Sequence, residues 1–352
     1  MNRSAPLVLD PEQSEIDCAD GRVYNPKMVA TRAGRLLFYT FAVIITLQAS
    51  LPGRLRAQPQ LHTWFHYHGE KSLQKLEPYK DVLTSVSLFG SPDRKFVTQC
   101  REFGLQVYSL VSGPVENIVT TDKAEATIDA YLKKCRDLGL DGIDLDYENL
   151  PEKTRGAYGA FIRKLSARLR GAGKKLSICV AYTPGMSRAV PDSGFYDPGI
   201  IARHCDLVRV MCYDKHLASQ PGHGPTSTAP WARSAMKYWL KHIPGRKLVM
   251  GMPAYSNDYD IRPGGRGRQV DRASPDTTAP LKPHWRPFEK INVYRYADKA
   301  GNPRVFYASD SKSTEAHLET VRQLDLGGFG FWHHLAVAPA TWKVIRKTMA
   351  GK

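Results

Sequence analysis

Residues 141–149 read Asp-Gly-Ile-Asp-Leu-Asp-Tyr-Glu-Asn, an alternation of acids with bulky residues. Ile143 and Leu145 are apolar and branched, and the run stops at Leu150-Pro151, where Pro151 has no N–H to give a ladder, so a buried strand is expected. Period two then places Asp144, Asp146 and Glu148 on one face and Ile143, Leu145 and Tyr147 on the other. Three carboxylates crowded on one side of a buried element cannot all ionise cheaply, so at least one keeps its proton near neutral pH. Glu148, last in the row at the carboxyl end where a pocket would open, is the expected proton donor. A helix N-terminus with solvated acids is the plainer alternative, since Pro151-Glu152 resembles a helix start. It leaves the apolar residues between the acids unexplained. A third reading makes the acids ligands for a divalent cation, with His66 or His68 adding a nitrogen, as in a metal-dependent phosphodiesterase.

The elements that must position this row alternate between short β-like runs and helix-like segments, the pattern of a parallel sheet with crossover helices. Expected strands cover 61–67, 82–89, 105–111, the acid run, 176–181, 206–213, 247–252 and 327–332. Expected helices cover 93–103, 121–138 with Thr121 as cap, 152–169 closed by Gly171, 231–242, 313–324 and 339–349 with Pro339 in the first turn. Between 253 and 309 lies a Gly- and Pro-rich insertion ending in a hairpin, 291–296 with 304–308. Eight strand-helix units over roughly 290 residues fit an α/β TIM (β/α)8 barrel with a small β-rich insertion between strands 7 and 8. A doubly wound open sheet would need a Gly-rich phosphate loop after the first strand, and none is present. In a barrel, functional residues collect at the carboxyl ends of strands. Those ends carry Glu148, Tyr213-Asp214, Tyr255 and Trp332.

The 352 residues are 42% hydrophobic, enough for a large core, with a formal net charge of +16. That excess favours an anionic setting, yet the Lys and Arg residues form no aromatic-interleaved stripe, so no nucleic-acid partner is expected. The run at 36–51, LLFYTFAVIITLQASL, follows Lys27, Arg32 and Arg35 and ends at Pro52-Gly53. It is short for a membrane span and has small residues at Ala49-Ser50, which suits a signal peptide starting at Met28. An N-terminal membrane anchor is the competing reading. Residues 1–56 are thus an N-terminal extension and 57–352 the barrel domain. Of the six cysteines, Cys18 precedes the signal; Cys179 and Cys212 sit in apolar runs as small core residues, while Cys100 and Cys135 could pair after export. His62, His66 and His68 share one strand face and are read as polar lining or packing.

Taken together, Asp141-Gly142-x-Asp144-x-Asp146-x-Glu148, Met211-x-Tyr213-Asp214, Gly251-x-Pro253-x-Tyr255 and Gly330-x-Trp332 resemble the family-18 glycoside hydrolases, and more closely their chitobiase and spore-wall branch than the large chitinases. The third strand, Ser109-Leu110-Val111-Ser112-Gly113, departs from the chitinase Ser-x-Gly-Gly pattern. The resemblance implies substrate-assisted retention, with Glu148 protonating the leaving oxygen while the sugar's 2-acetamido group attacks the anomeric carbon. It makes Asp146 the group that orients the acetamido N–H, Asp144 the residue sharing a proton with Asp146, and Tyr213 the donor to the acetamido oxygen. Asp214 and Met211 support that site, Trp332 forms the floor under the sugar and Tyr255 a wall. At most one of His333 and His334 would line the cleft, and Asp141 is read as bracing the strand start.

The expectation is a monomeric hydrolase, secreted or associated with the cell envelope, without cofactor or metal. It would act on β-1,4 linkages of N-acetylglucosamine-containing glycans such as chitin oligosaccharides or peptidoglycan. The alternative is a catalytically silent glycan-binding lectin on the same fold, against which the intact Glu148, Asp146 and Tyr213 argue.

Overall fold

A computed structural model describes residues 58–182, 194–277 and 281–350. The apolar run at 36–51 lies outside the described residues; among those described, no helix is long and apolar enough to cross a membrane. Eight parallel strands close into a barrel: β1 (Gln60–His66), β2 (Ser85–Phe89), β3 (Gln106–Val111), β4 (Gly142–Leu145), β5 (Lys175–Ala181), β6 (Leu207–Met211), β7 (Leu248–Pro253) and, last in the chain, β13 (Gly328–Trp332). Each pairs with its sequence neighbour, and β13 closes the ring against β1 and β7. The helices wrapped outside are α1 (Arg94–Glu102), α2 (Thr121–Leu138), α3 (Arg155–Gly171), α4 (Pro198–His204), α5 (Ala229–Leu240), α6 (Ser311–Gln323) and α7 (Pro339–Met349).

Local chemistry explains these boundaries. Asp93 caps α1 by accepting from the Phe96 N–H at 2.7 Å, and Asp310 with Ser313 forms a capping box at the start of α6. Helix α2 buries Ala124, Ile128, Leu132 and Cys135, spaced four, four and three apart, and stops at Gly139 with φ 73°. Helix α3 departs from expectation. A 3-10 turn at Glu152–Thr154 precedes it, and it runs through Gly171, so the left-handed residue beyond its end is Gly173. Helix α4 was not expected; Asp197 caps it and Pro198 opens it, but seven residues are too few to show a period.

The insertion is larger than a hairpin. Strands β8 (Ser256–Asp260), β9 (Gly267–Val270), β10 (His284–Arg286), β11 (Ile291–Ala297) and β12 (Pro303–Ala308) form an antiparallel sheet in the order β10-β11-β12-β8-β9. The expected hairpin, β11 with β12, is its centre. Asp258 on β8 holds the sheet together: wholly buried, it accepts from Arg304 Nε at 2.9 Å, from Arg268 Nη2 at 2.9 Å and from the Tyr296 hydroxyl at 3.0 Å. Three charge-assisted donors on one buried carboxylate compensate its desolvation.

Candidate active site

Strand β4 stops at Leu145, four residues short of the expected end at Asn149, yet the Asp146 N–H still donates to Val111 O at 2.8 Å. The alternation therefore persists past the strand. Ile143, Leu145 and Tyr147 are buried outward, where Tyr147 packs on Tyr158 and Phe161 of α3 and shares a 3.0 Å hydrogen bond with Tyr131 of α2. That apolar anchoring turns Asp144, Asp146 and Glu148 toward the barrel axis. Gly142 is required where the strand begins, because a Cβ there would sit 2.2 Å from Lys175 O. Asp141 stays outside the chemistry: its Oδ2 accepts from the Val107 N–H at 2.9 Å and it lies 3.5 Å from Arg101.

The three acids occupy different environments. Asp144 is completely buried and ion-paired with Arg209 of β6, whose Nη1 lies 2.6 Å from Oδ1; the Ser87 hydroxyl donates to Oδ2 at 2.6 Å and the Cys179 thiol approaches the same oxygen at 3.7 Å. Its partner is a guanidinium, where a proton shared with Asp146 had been expected. Among the described residues Asp146 has no such cation, and its Oδ1 is sealed from solvent without a hydrogen-bond partner. Burial, then the charges of Glu148 and Asp144, push its carboxyl up to about 8. Glu148 keeps an exposed face toward the opening, but burial of the rest of the group and the charge of Asp214 hold its carboxyl above the usual range. At neutral pH this pair retains a proton.

Around the acids stands a wall of aromatic rings. Tyr213 follows β6 and is buried, because Gly251 on β7 leaves room for its ring; a Cβ on Gly251 would lie 3.3 Å from Tyr213 Cε1. Trp332, the last residue of β13, stacks with Tyr213, ring centroids 6.4 Å apart and 22° between planes, and is half-buried. Met211 is buried in the same cluster with Trp64 and Cys179. Asp214 adopts a left-handed φ of 57° and accepts from the Tyr255 hydroxyl and from Gln269 Nε2 at 3.2 Å, the latter reaching over from β9. Burial raises the Asp214 carboxyl, and these donors partly offset it.

The structure thus brings Asp144, Asp146, Glu148, Tyr213, Asp214, Tyr255, Trp332 and Met211 to one end of the barrel. Several neighbours were missed. Trp64 packs edge-on against both Tyr213 and Trp332, and Phe89 stacks on Trp332. Trp64 shares parity with His62 and His66 on β1, a signal that was available. Arg209 was the clearer sign, a lone charge inside the apolar run Leu207–Met211. The histidines divide by position. His62 is fully buried at 2.9 Å from Ser85 Oγ, while His66 and His68 stack with centroids 4.3 Å apart. His334 turns away into a pocket of Phe65, Tyr79 and Trp342, leaving His333 on the cleft side, 3.9 Å from Asp271. Cys100, Cys135, Cys179, Cys205 and Cys212 are all buried free thiols, so Cys100 and Cys135 are unpaired; Cys179 belongs to the site as well as the core.

Residues 95–335 match the model of the Glycosyl hydrolases family 18. Among curated proteins, the chain is 26% identical over 210 residues to the uncharacterized glycosylase YvbX of Bacillus subtilis, covering 58% of this chain and 60% of that protein. It is 28% identical over 222 residues to the putative sporulation-specific glycosylase YdhD of the same organism, covering 59% of this chain and 50% of that one. The match therefore spans about half to three-fifths of these relatives' length. A chitinase from Chromobacterium violaceum has the same fold, with a TM-score of 0.72 at 19% identity, covering 84% of this chain and all of that one.

Proposed function

The chain belongs to the family-18 glycosyl hydrolases and is an O-glycosyl hydrolase, and from that premise we propose that it cleaves the β-1,4 bond on the reducing side of an N-acetylglucosamine unit with retention of configuration. The observation that carries this reading is the proton-holding pair Asp146 and Glu148 at the carboxyl end of β4, beside a half-open Trp332 and a buried Tyr213. Glu148, with one face to the opening, gives its proton to the leaving oxygen. The 2-acetamido carbonyl of the sugar attacks the anomeric carbon, forming an oxazolinium, and water then opens it with Glu148 acting as base. Asp146 accepts the acetamido N–H and stabilises the charge that develops there, in a site too dry to screen it. The Tyr213 hydroxyl, held protonated by burial, donates to the acetamido oxygen. Asp214, fixed by Tyr255 and Gln269, braces that wall, and Trp332 carries the sugar face.

The substrate is a chitin oligosaccharide or peptidoglycan glycan. The net charge of +16 favours the anionic wall polymer. The enzyme works as a monomer, outside the cell or in its envelope, and the run at 36–51 directs its export. Glu148→Gln is expected to lower kcat by roughly 10²- to 10⁴-fold while glycan binding persists; normal turnover in that variant would sink the assignment. Mass spectrometry of products from chitooligosaccharides and purified peptidoglycan, assayed side by side, identifies the polymer. Protein from the native host should begin after about Ala49, as expected of a small-residue cleavage site; an intact N-terminus would indicate an anchor or no export.

A further inference from the structure

At the base of the acid row Asp144 is paired with a cation that none of the four motifs contains. Arg209 has no exposed surface, and its guanidinium meets groups from four other strands of the barrel. One Nη1 reaches Asp144 Oδ1 at 2.6 Å and also the Ser177 hydroxyl oxygen on β5. The other, Nη2, lies 3.3 Å from His62 Nδ1 on β1, and the plane rides 4.8 Å over the Tyr108 ring on β3. A guanidinium only donates, so His62 Nδ1 must be an acceptor here, and the Ser85 hydroxyl at 2.9 Å then donates to it as well. His62 is accordingly neutral, with burial and the neighbouring Arg209 holding it well below its ordinary range.

The groups facing Asp144 from every strand packed on it can be enumerated: Arg209 from β6, Cys179 from β5, Ser87 from β2, with neutral His62 and Tyr108 behind the guanidinium, and Asp146 above. Oδ1 meets a pure donor; Oδ2 meets a hydroxyl and a thiol. A proton on Oδ1 would point into the guanidinium, so the ionised form is the one this cage satisfies. Asp146 and Glu148 sit above, with no ion-pair partner among the described residues.

We propose that Arg209 is a positioning residue for the hydrolysis: by keeping Asp144 a carboxylate, it denies the proton of the acid row any refuge below Asp146, so that the proton moves only between Asp146 and Glu148. The pair is then poised for its two tasks. When the proton passes from Asp146 Oδ to Glu148 Oε, Glu148 becomes the acid and Asp146 the carboxylate that receives the acetamido N–H. The ionised Asp144 beneath also keeps the pair protonated to higher pH by repulsion. This rests on the glycosidase reading above and adds to it a residue outside the family's motifs.

The test compares pH profiles of kcat and KM on a chitooligosaccharide for wild type, Arg209→Gln, Arg209→Lys and the charge-neutral double variant Asp144→Asn/Arg209→Gln, with the 13C carboxyl titration of Asp146 followed in parallel. In Arg209→Gln the cage no longer selects the carboxylate form of Asp144, so the alkaline limb of kcat and the Asp146 titration both fall by about one pH unit or more, with KM little changed. Arg209→Lys keeps the charge and the wild-type limb. Should Arg209→Gln fail to fold, the double variant, which buries no unpaired charge, is expected to show the same lowered limb. An unshifted or raised limb in Arg209→Gln, or a wild-type limb in the double variant, overturns the proposal. The carboxyl titration needs no turnover: if the wild type cleaves no glycan the hydrolase reading fails, while the titration still reports whether Arg209 governs Asp146.

Discussion

The ring of Phe89, the last residue of β2, lies parallel to that of Trp332 at the end of β13, with centroids 5.4 Å apart and 14° between planes. Phe89, Tyr213 and Trp64 thus all pack on Trp332, which keeps part of its indole exposed for a ligand. A sugar ring laid there meets a rigid platform whose rotamer has already been selected by packing. Trp332→Ala should raise the dissociation constant for a chitooligosaccharide, measured calorimetrically in a Glu148→Gln background, by about tenfold or more, equivalent to about 1.4 kcal/mol. Phe89→Ala should weaken binding in the same direction but less. Unchanged affinity in Trp332→Ala would remove it from the floor of the site.

Asp214 and Glu148 are linked through charge. Glu148 is held above its ordinary range by burial first and by Asp214 second, so Asp214→Asn should lower it and move the alkaline limb of kcat to lower pH. Tyr255→Phe removes a donor that stabilises the Asp214 carboxylate, leaving Asp214 more often neutral, and should shift the limb in the same direction by a smaller amount. A pH–rate profile for each variant checks this, and a limb displaced upward would contradict the coupling.

Asp146 carries a stability signature of unusual sign. Its carboxyl binds the proton more tightly folded, at about 8, than an unperturbed carboxyl at 3.8. The contribution is fully present below the lower value and is lost as pH rises through the upper one, with a slope of at most about 1.4 kcal/mol per pH unit. Between pH 4 and 8 the wild type should therefore lose stability relative to Asp146→Asn, which does not titrate. Urea unfolding across that range measures the difference, and parallel curves for the two proteins would show that Asp146 is not perturbed.

Gly251 makes room for Tyr213. A Cβ there would lie 2.9 Å from Val210 O, 3.2 Å from the Trp64 ring and 3.3 Å from the Tyr213 ring. Gly251→Ala should cost about 1–3 kcal/mol of stability, the range for overpacking a filled core. It should also reduce kcat at temperatures where the variant remains folded, because the Tyr213 hydroxyl is displaced. Chemical unfolding together with kcat separates the two effects; full activity in a destabilised variant would mean Tyr213 is not held by this contact.

What the sequence determined by itself was set by local periodicity. Alternation at 141–148 placed three acids on one face, the helical spacing in α2 and the Pro339 start of α7 gave both helices, though Thr120 and not Thr121 caps α2, and the order of the strands gave the barrel. These features depend on neighbours a few residues apart, and so they are written along the chain. Its silences have one cause as well. The pairing of Asp144 with Arg209 spans 65 residues, the contact of Phe89 with Trp332 joins the second strand to the last across the closure of the ring, and Asp258 ties β8 to β9 and β12 through arginines 10 and 46 residues away. Such contacts exist only once the ring of strands has closed. Tertiary structure therefore decided which acid is paired, which keeps a proton and which faces the opening, because burial and distance, and not order along the chain, set the charge state of each carboxylate.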